Sequence, residues 1–196
     1  MDALDEIIPG FLYDANNDPE ILKLRTSTKE KLFRLNHTNP SEEANVKRQF
    51  RELFGQYSDS SCIELPFYCD YGRNIFLGEK FYSNHSLTIL DAAEVRIGDN
   101  VFIGPNVGMH TSGHPIDFER RNKGLEYALP IRINDDVWIG SCVTIIGGVT
   151  IGRGTVIAAG SVVIRDLPGN VVAAGNPCQV IRNITAKDRF IENFKR

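Results

Sequence analysis

A chain of 196 residues, 42% apolar and 24% charged, is long enough for one sizeable core and too mixed in composition for a disordered or membrane class. A net charge of −3 weighs against nucleic acid as the main partner, and no apolar run approaches the ~18 residues of a membrane span. The opening MDALDEIIPG is acidic where a secretory signal would be basic, so one soluble, cytoplasmic unit with no membrane partner is expected.

The N-terminal segment, residues 1–60, reads as helical. Asp18 suits an N-cap with Pro19 at the first helical position, and Leu22, Leu32 and Leu35 lie in the helix that follows. After a loop at Asn36–Pro40, Ser41 is expected to cap a second helix, with Val46, Phe50, Leu53, Phe54 and Tyr57 on one apolar stripe. Both helices are expected to pack beside what comes next. The four cysteines, Cys62, Cys69, Cys142 and Cys178, fall at irregular spacings without a CxxC. They are expected to be reduced and mostly packing residues.

From residue 61 to 184 a six-residue beat takes over. Ile133, Ile139, Ile145, Ile151, Ile157 and Val163 recur at every sixth position, and Val137, Val143, Val149, Thr155 and Ser161 follow the first five by four residues. Upstream, Ile97, Ile103 and Met109 keep the beat, as do Leu77, Ser83 and Ile89 after a slip of two residues. Period six fits neither an amphipathic helix nor a hairpin meander. It suits a triangular parallel coil with one short strand per side, three hexads per turn and aliphatic ladders inside. The short residue after each aliphatic, as in Ile139-Gly140 and Ile151-Gly152, is expected near a corner, where the backbone turns tightly. Residues 185–196 read as a C-terminal tail.

The beat stops at residues 111–130, a polar and charged stretch ending at Pro130. Aperiodic loops of this length are usually functional or disordered. It begins beside His110 and holds His114, within GHPID. A metal pair on a helix is disfavoured by Gly113 and Pro115 and by the lack of an obvious third ligand, so no metal is expected. His110 is expected to be structural or to line the site without acting as base.

Six stretches carry a resemblance: GFLYDANNDPE at 10–20, NHTNP at 36–40, YCDYGRNI at 68–75, GHPID at 113–117, VWIGS at 137–141 and VVAAGNPCQVIR at 171–182. In this order the chain resembles the maltose, galactoside and nodulation-type sugar O-acetyltransferases, hexapeptide-repeat acyltransferases. The resemblance implies a mainly β fold: a left-handed parallel β-helix with an N-terminal helix pair and an extended loop leaving the coil. It implies acetyl-CoA as donor, a sugar hydroxyl of maltose or glucose type as acceptor, and His114 as general base, a task suited to a near-neutral imidazole. Asp14, Asp70, Asn84, Asp91 and Glu126 match acceptor-side positions, Glu126 leaning toward the maltose-type subgroup. Ala92 stands where the galactoside enzyme has a second aspartate. Trp138, Ser141, Ala159, Arg165 and Arg182 match donor-side positions, whereas Gln179 replaces a residue that is often basic. A homotrimer with active sites between subunits is also implied.

Other readings stay open. The coil suits an acetyltransferase for serine or an antibiotic, a zinc-dependent enzyme like the gamma-type carbonic anhydrases, or a scaffold without catalysis. Asp14, Asp70 and Asn84 could each be an ordinary turn residue or cap, and Trp138 could pack against a neighbouring subunit.

Overall fold

Short parallel strands stack into three flat faces around an aliphatic column. The computed structural model describes residue 4 and residues 7–190, so part of the expected tail, 191–196, lies outside the described residues. The first face stacks Ile75–Leu77, Val95–Ile97, Ile131–Ile133 and Thr150–Ile151. The second stacks Cys62–Ile63, Tyr82–Ser83, Phe102–Ile103, Trp138–Ile139, Val156–Ile157 and Val171–Ala174, and Gln179–Asn183 pairs antiparallel on its end. The third stacks Phe67–Cys69, Leu87–Leu90, Gly108–His110, Thr144–Ile146 and Val162–Val163. The fold is a parallel β-solenoid of about six coils, and among the described residues no helix is long and apolar enough to cross a membrane.

Parallel register explains the beat. Ile103, Ile139 and Ile157 are paired one above the other, as are Met109, Ile145 and Val163. All six are at most 1% exposed, so each contributes roughly 1.5–3 kcal/mol of burial. The residues four positions on, from Val137 to Ser161, are buried as well. The two-residue slip before Ile97 is a longer corner at Asp91–Glu94, between the Leu87–Leu90 and Val95–Ile97 strands.

The corners divide their tasks differently from the sequence reading. The left-handed backbone falls two residues beyond the expected glycine, at Lys80, Asn100, Asp136 and Gly154 on one corner and at Ser86, Asn106, Cys142 and Gly160 on the next. The glycine after the aliphatic serves close approach instead: a Cβ on Gly140 would lie 2.6 Å from the amide nitrogen of Ala159 in the next coil.

Two helices seal the open end of the column. Helix α1 spans Pro19–Asn36, and Asp18 accepts from the amides of Glu20 and Ile21 as its N-cap. Ile21, Leu32 and Leu35 turn inward, whereas Leu22 faces solvent. Helix α2 spans Glu43–Leu53 and starts later than expected. Ser41 is not its cap: Glu42 holds that position without a side-chain cap hydrogen bond, and the Ser41 amide and hydroxyl both donate to Asn39 Oδ1. Phe54 and Tyr57 lie past the end of α2, yet with Phe50 and Phe67 they form an aromatic plug. The Phe54–Phe67 and Phe50–Tyr57 ring centroids are 5.2 and 5.4 Å apart. All four cysteines are free. Cys69 and Cys178 are buried, but Cys62 and Cys142 are exposed rather than packed.

The stretch 111–130 is not aperiodic coil. Ser112–Gly113 and Leu125–Ala128 form an antiparallel pair, the five-residue helix α3 (Phe118–Asn122) lies between them, and the N-terminal strand Tyr13–Asp14 adds to the far edge of Leu125–Ala128. A satellite core of Leu4, Ile21, Tyr71, Ala92, Ala93 and Ala128, with Tyr13 packed against it, binds this small sheet to the corner between the third and first faces.

Candidate active site

That corner gathers His114, Glu126, Asp70 and Asp91. His114 follows the Ser112–Gly113 strand, where Gly113 lies opposite Tyr127. A Cβ on Gly113 would sit 2.4 Å from Tyr127 Cζ, so only glycine lets the ring lie across the strand. The imidazole is half exposed, with Nδ1 3.3 Å from the Leu125 carbonyl and Nε2 3.9 Å from Glu126 Oε1. A carbonyl oxygen only accepts, so this hydrogen bond requires a proton on Nδ1 and leaves the Nε2 lone pair open.

The Glu126 side chain is 14% exposed. Tyr13 Oη donates to its Oε2 at 3.3 Å and Asn16 Nδ2 to its Oε1 at 3.3 Å. Burial, followed by the Glu126 charge, pushes the Tyr13 phenol far above its ordinary range, so it stays a donor throughout the working pH range. Asp70 is half-buried; burial raises its carboxyl, Arg25 opposes that, and the Glu126 charge adds to it.

Two acceptor-side expectations receive other surroundings. Asp14 is exposed, and its Oδ1 accepts from the amides of Asn16 and Asn17 at 3.2 and 2.9 Å, which makes it the organiser of a turn. Asp91 is 0% exposed, its side chain enclosed within the corner. Its carboxylate accepts from the amides of Asp70, Tyr71 and Asn74 at 3.1, 2.9 and 3.4 Å, shaping the turn that presents Asp70.

Burial raises the Asp91 carboxyl to about 6, against the pull of the Tyr71 amide. An unfolded aspartate titrates near about 3.9, so the folded protein holds this proton more tightly. The stability this group contributes is fully present below about pH 4 and is lost as pH rises through about 6. Asp91→Asn cannot titrate there. The difference in urea unfolding free energy between the two proteins is therefore expected to change by on the order of 2–3 kcal/mol between pH 4 and 6.5. A difference that is flat with pH would refute it.

The other expected residues lie elsewhere on the triangle. Asn84, Ser141 and Ala159 line the corner between the second and third faces, where Asn84 Oδ1 accepts from the His85 amide at 2.7 Å. The single chain thus does not bring Asn84 to His114. Trp138 is 57% exposed and continues an outward row of Tyr82 and Phe102 on the second face. Arg165 is exposed after the Val162–Val163 strand. Arg182 is already engaged: its Nη2 and Nη1 lie 2.7 and 2.9 Å from the two oxygens of Asp188, which pulls that carboxyl down to about 2. His110 folds over Gly108 on the outer third face, and burial lowers its imidazole. Among the described residues no three His, Cys, Asp or Glu side chains converge to hold a metal ion.

Comparison with known proteins agrees with this fold. Residues 7–58 match the maltose acetyltransferase hexapeptide capping motif, 94–116 the hexapeptide repeat of succinyl-transferase, and 130–165 the six-repeat bacterial transferase hexapeptide. The Saccharomyces cerevisiae protein YJL218W, itself named only as a candidate acetyltransferase, is 60% identical over 196 residues, covering 100% of both chains. The crystal structure of a maltose O-acetyltransferase from Clostridium difficile 630 is 43% identical with a TM-score of 0.90, covering 94% of this chain and 98% of that one. The chain belongs to the maltose and galactoside type of hexapeptide-repeat acetyltransferases. A galactoside acetyltransferase in complex with coenzyme A matches it with a TM-score of 0.89 and 43% identity, over 95% of this chain and 94% of that one.

Several residues that surround His114 and Glu126 were not singled out by the sequence. Tyr13, Asn16, Tyr127 and the Leu125 carbonyl carry no motif of their own. The one available signal was that Tyr13 and Asn16 flank Asp14 in GFLYDANNDPE.

Proposed function

We propose that this acetyltransferase moves the acetyl group of acetyl-CoA to a sugar hydroxyl, of maltose or glucose type, with His114 as general base. The observation that carries this reading is the seating of the ring: Leu125 O accepts a hydrogen bond from Nδ1 and Nε2 opens beside Glu126. The acceptor hydroxyl gives its proton to Nε2 as its oxygen attacks the thioester carbonyl. The collapsing adduct then expels the coenzyme A sulfur, which takes the proton back, so no net proton is consumed. Glu126 and Asp70 supply carboxylate acceptors for sugar hydroxyls, and the Glu126 charge stabilises the transient imidazolium. On the donor side, Ser141 and Ala159 would border the pantetheine arm, Trp138 would wall it, and Arg165 would meet phosphate. Arg182 would reach phosphate only by leaving Asp188, an exposed pair of low net worth.

A homotrimer with sites between subunits is part of the same proposal. It is supported by the separation of Asn84 from His114 on two corners and by apolar side chains left in solvent. Ile116 is 97% and Phe118 61% exposed just past His114, and Phe102 is 53% exposed beside Trp138. Light scattering at micromolar concentration is expected to return three times the 21.9 kDa chain mass; a fully active monomer would reject the assembly. The function itself is tested by following free-thiol release from acetyl-CoA across maltose, glucose, galactosides, serine and an aminoglycoside. Release with the glucose-type sugars is expected. Turnover with serine or the aminoglycoside alone would overturn the acceptor assignment.

A further inference from the structure

The Glu126 carboxylate is held from outside its own loop. Two donors among the described residues come from the N-terminal strand and its turn, Tyr13 Oη on Oε2 and Asn16 Nδ2 on Oε1, each at 3.3 Å. The register places Tyr13 directly opposite Glu126 on neighbouring antiparallel strands. Cross-strand partners in such a pair lie close enough for their side chains to meet. The turn is itself fastened: Asp14 Oδ1 takes the amides of Asn16 and Asn17, Asn16 Nδ2 also donates to Gly124 O at 3.0 Å, and Asn17 Nδ2 donates to Lys123 O at 3.2 Å. One donor on each oxygen fixes the last torsion of a glutamate, which is otherwise broad. In this seating Oε1 faces His114 Nε2 at 3.9 Å.

We infer that Tyr13 and Asn16 are positioning residues that clamp Glu126 in the orientation the acceptor site uses, so that the segment before α1 takes part in acceptor selection. This rests on the reading of Glu126 as an acceptor-side carboxylate. It also assigns Asp14 a task distinct from touching sugar: it seats Asn16. The clamp acts on the acceptor and leaves the donor corner, on another edge of the triangle, untouched.

Tyr13→Phe keeps the ring in the satellite core and removes only the hydroxyl. The kinetics of the wild type, Tyr13→Phe, Glu126→Gln and the double variant separate orientation from packing. Tyr13→Phe is expected to lower kcat/KM for the acceptor about three- to tenfold, the range of one hydrogen bond, with KM for acetyl-CoA unchanged. In the Glu126→Gln background the same substitution is expected to change kcat/KM by less than about twofold. A loss that persists undiminished in that background, or no loss at all, overturns the inference. A crystal structure of Tyr13→Phe decides the point without any assay: a displaced Glu126 carboxylate supports the clamp, and one still seated at the wild-type position refutes it. Failure of wild type to acetylate any hydroxyl compound would instead count against the proposed function, and the Tyr13→Phe structure would still decide the clamp.

Discussion

His114→Ala is expected to lose at least about 10²-fold in kcat for acetyl transfer while keeping the wild-type far-ultraviolet circular dichroism and assembly. The size follows from what a positioned base supplies, typically about 10²–10⁴-fold. Retention of the fold follows from position: the ring is half exposed, it hydrogen-bonds a backbone carbonyl at 3.3 Å, and it belongs to neither hydrophobic cluster of the described residues. His114→Asn refines the test. An asparagine amide can still donate toward Leu125 O but cannot accept a proton at neutral pH, so it is expected to be as impaired as alanine. Unchanged turnover in either purified variant would remove His114 from the reaction.

Ile139→Ala is expected to cost about 2–5 kcal/mol of unfolding free energy, a large part of the ~5–15 kcal/mol available to a typical domain. Ile139 is 0% exposed and stacked between Ile103 and Ile157. Its backbone cannot settle into the void, because the Gly140 amide donates to Ile157 O at 2.8 Å and the Phe102–Ile103 strand is paired on the other side. Coil spacing is set by backbone hydrogen bonds, so the cavity stays open and its lining loses contacts outright. Ile139→Val removes one methylene and is expected to cost about 0.5–1.5 kcal/mol. Urea unfolding of the two variants and wild type measures the series. Equal stabilities for alanine and valine would show that the column relaxes in a way the stacked geometry forbids.

The kind of residue the sequence could place is clear from which positions agree. Every coil repeats the same geometry, so an inward aliphatic is legible wherever the beat runs, and even Ser83, a polar residue on an inward beat, is 0% exposed. The start of α1 was legible because Asp18 and Pro19 act within one turn of themselves. The start of α2 was not: Ser41 joins a local turn on Asn39 and the helix begins after Glu42 without a side-chain cap. The corner glycines were placed correctly for a different reason from the true one. Their constraint is the next coil's backbone, and a sequence window does not show what lies 20 residues away in the stack.

At the site, His114 was legible through its motif, whereas its surroundings were not. Asp91 reads as an acidic residue near the acceptor, yet three backbone amides and complete burial make it the support of the 70–74 turn. Arg182 matches a donor-side basic position through the resemblance, and the structure pairs it with Asp188, in the segment expected to be tail.

By itself, then, the sequence determined the solenoid, its aliphatic column and the opening of α1, because each depends on a pattern repeated or completed within a few residues. The tertiary structure alone decided which corner the loop leaves from, how 113 residues of separation close between Tyr13 and Glu126, and why Asn84 stands apart from His114. Those depend on how far the chain has wound when each segment departs. That distance is a property of the assembled stack and of no local stretch.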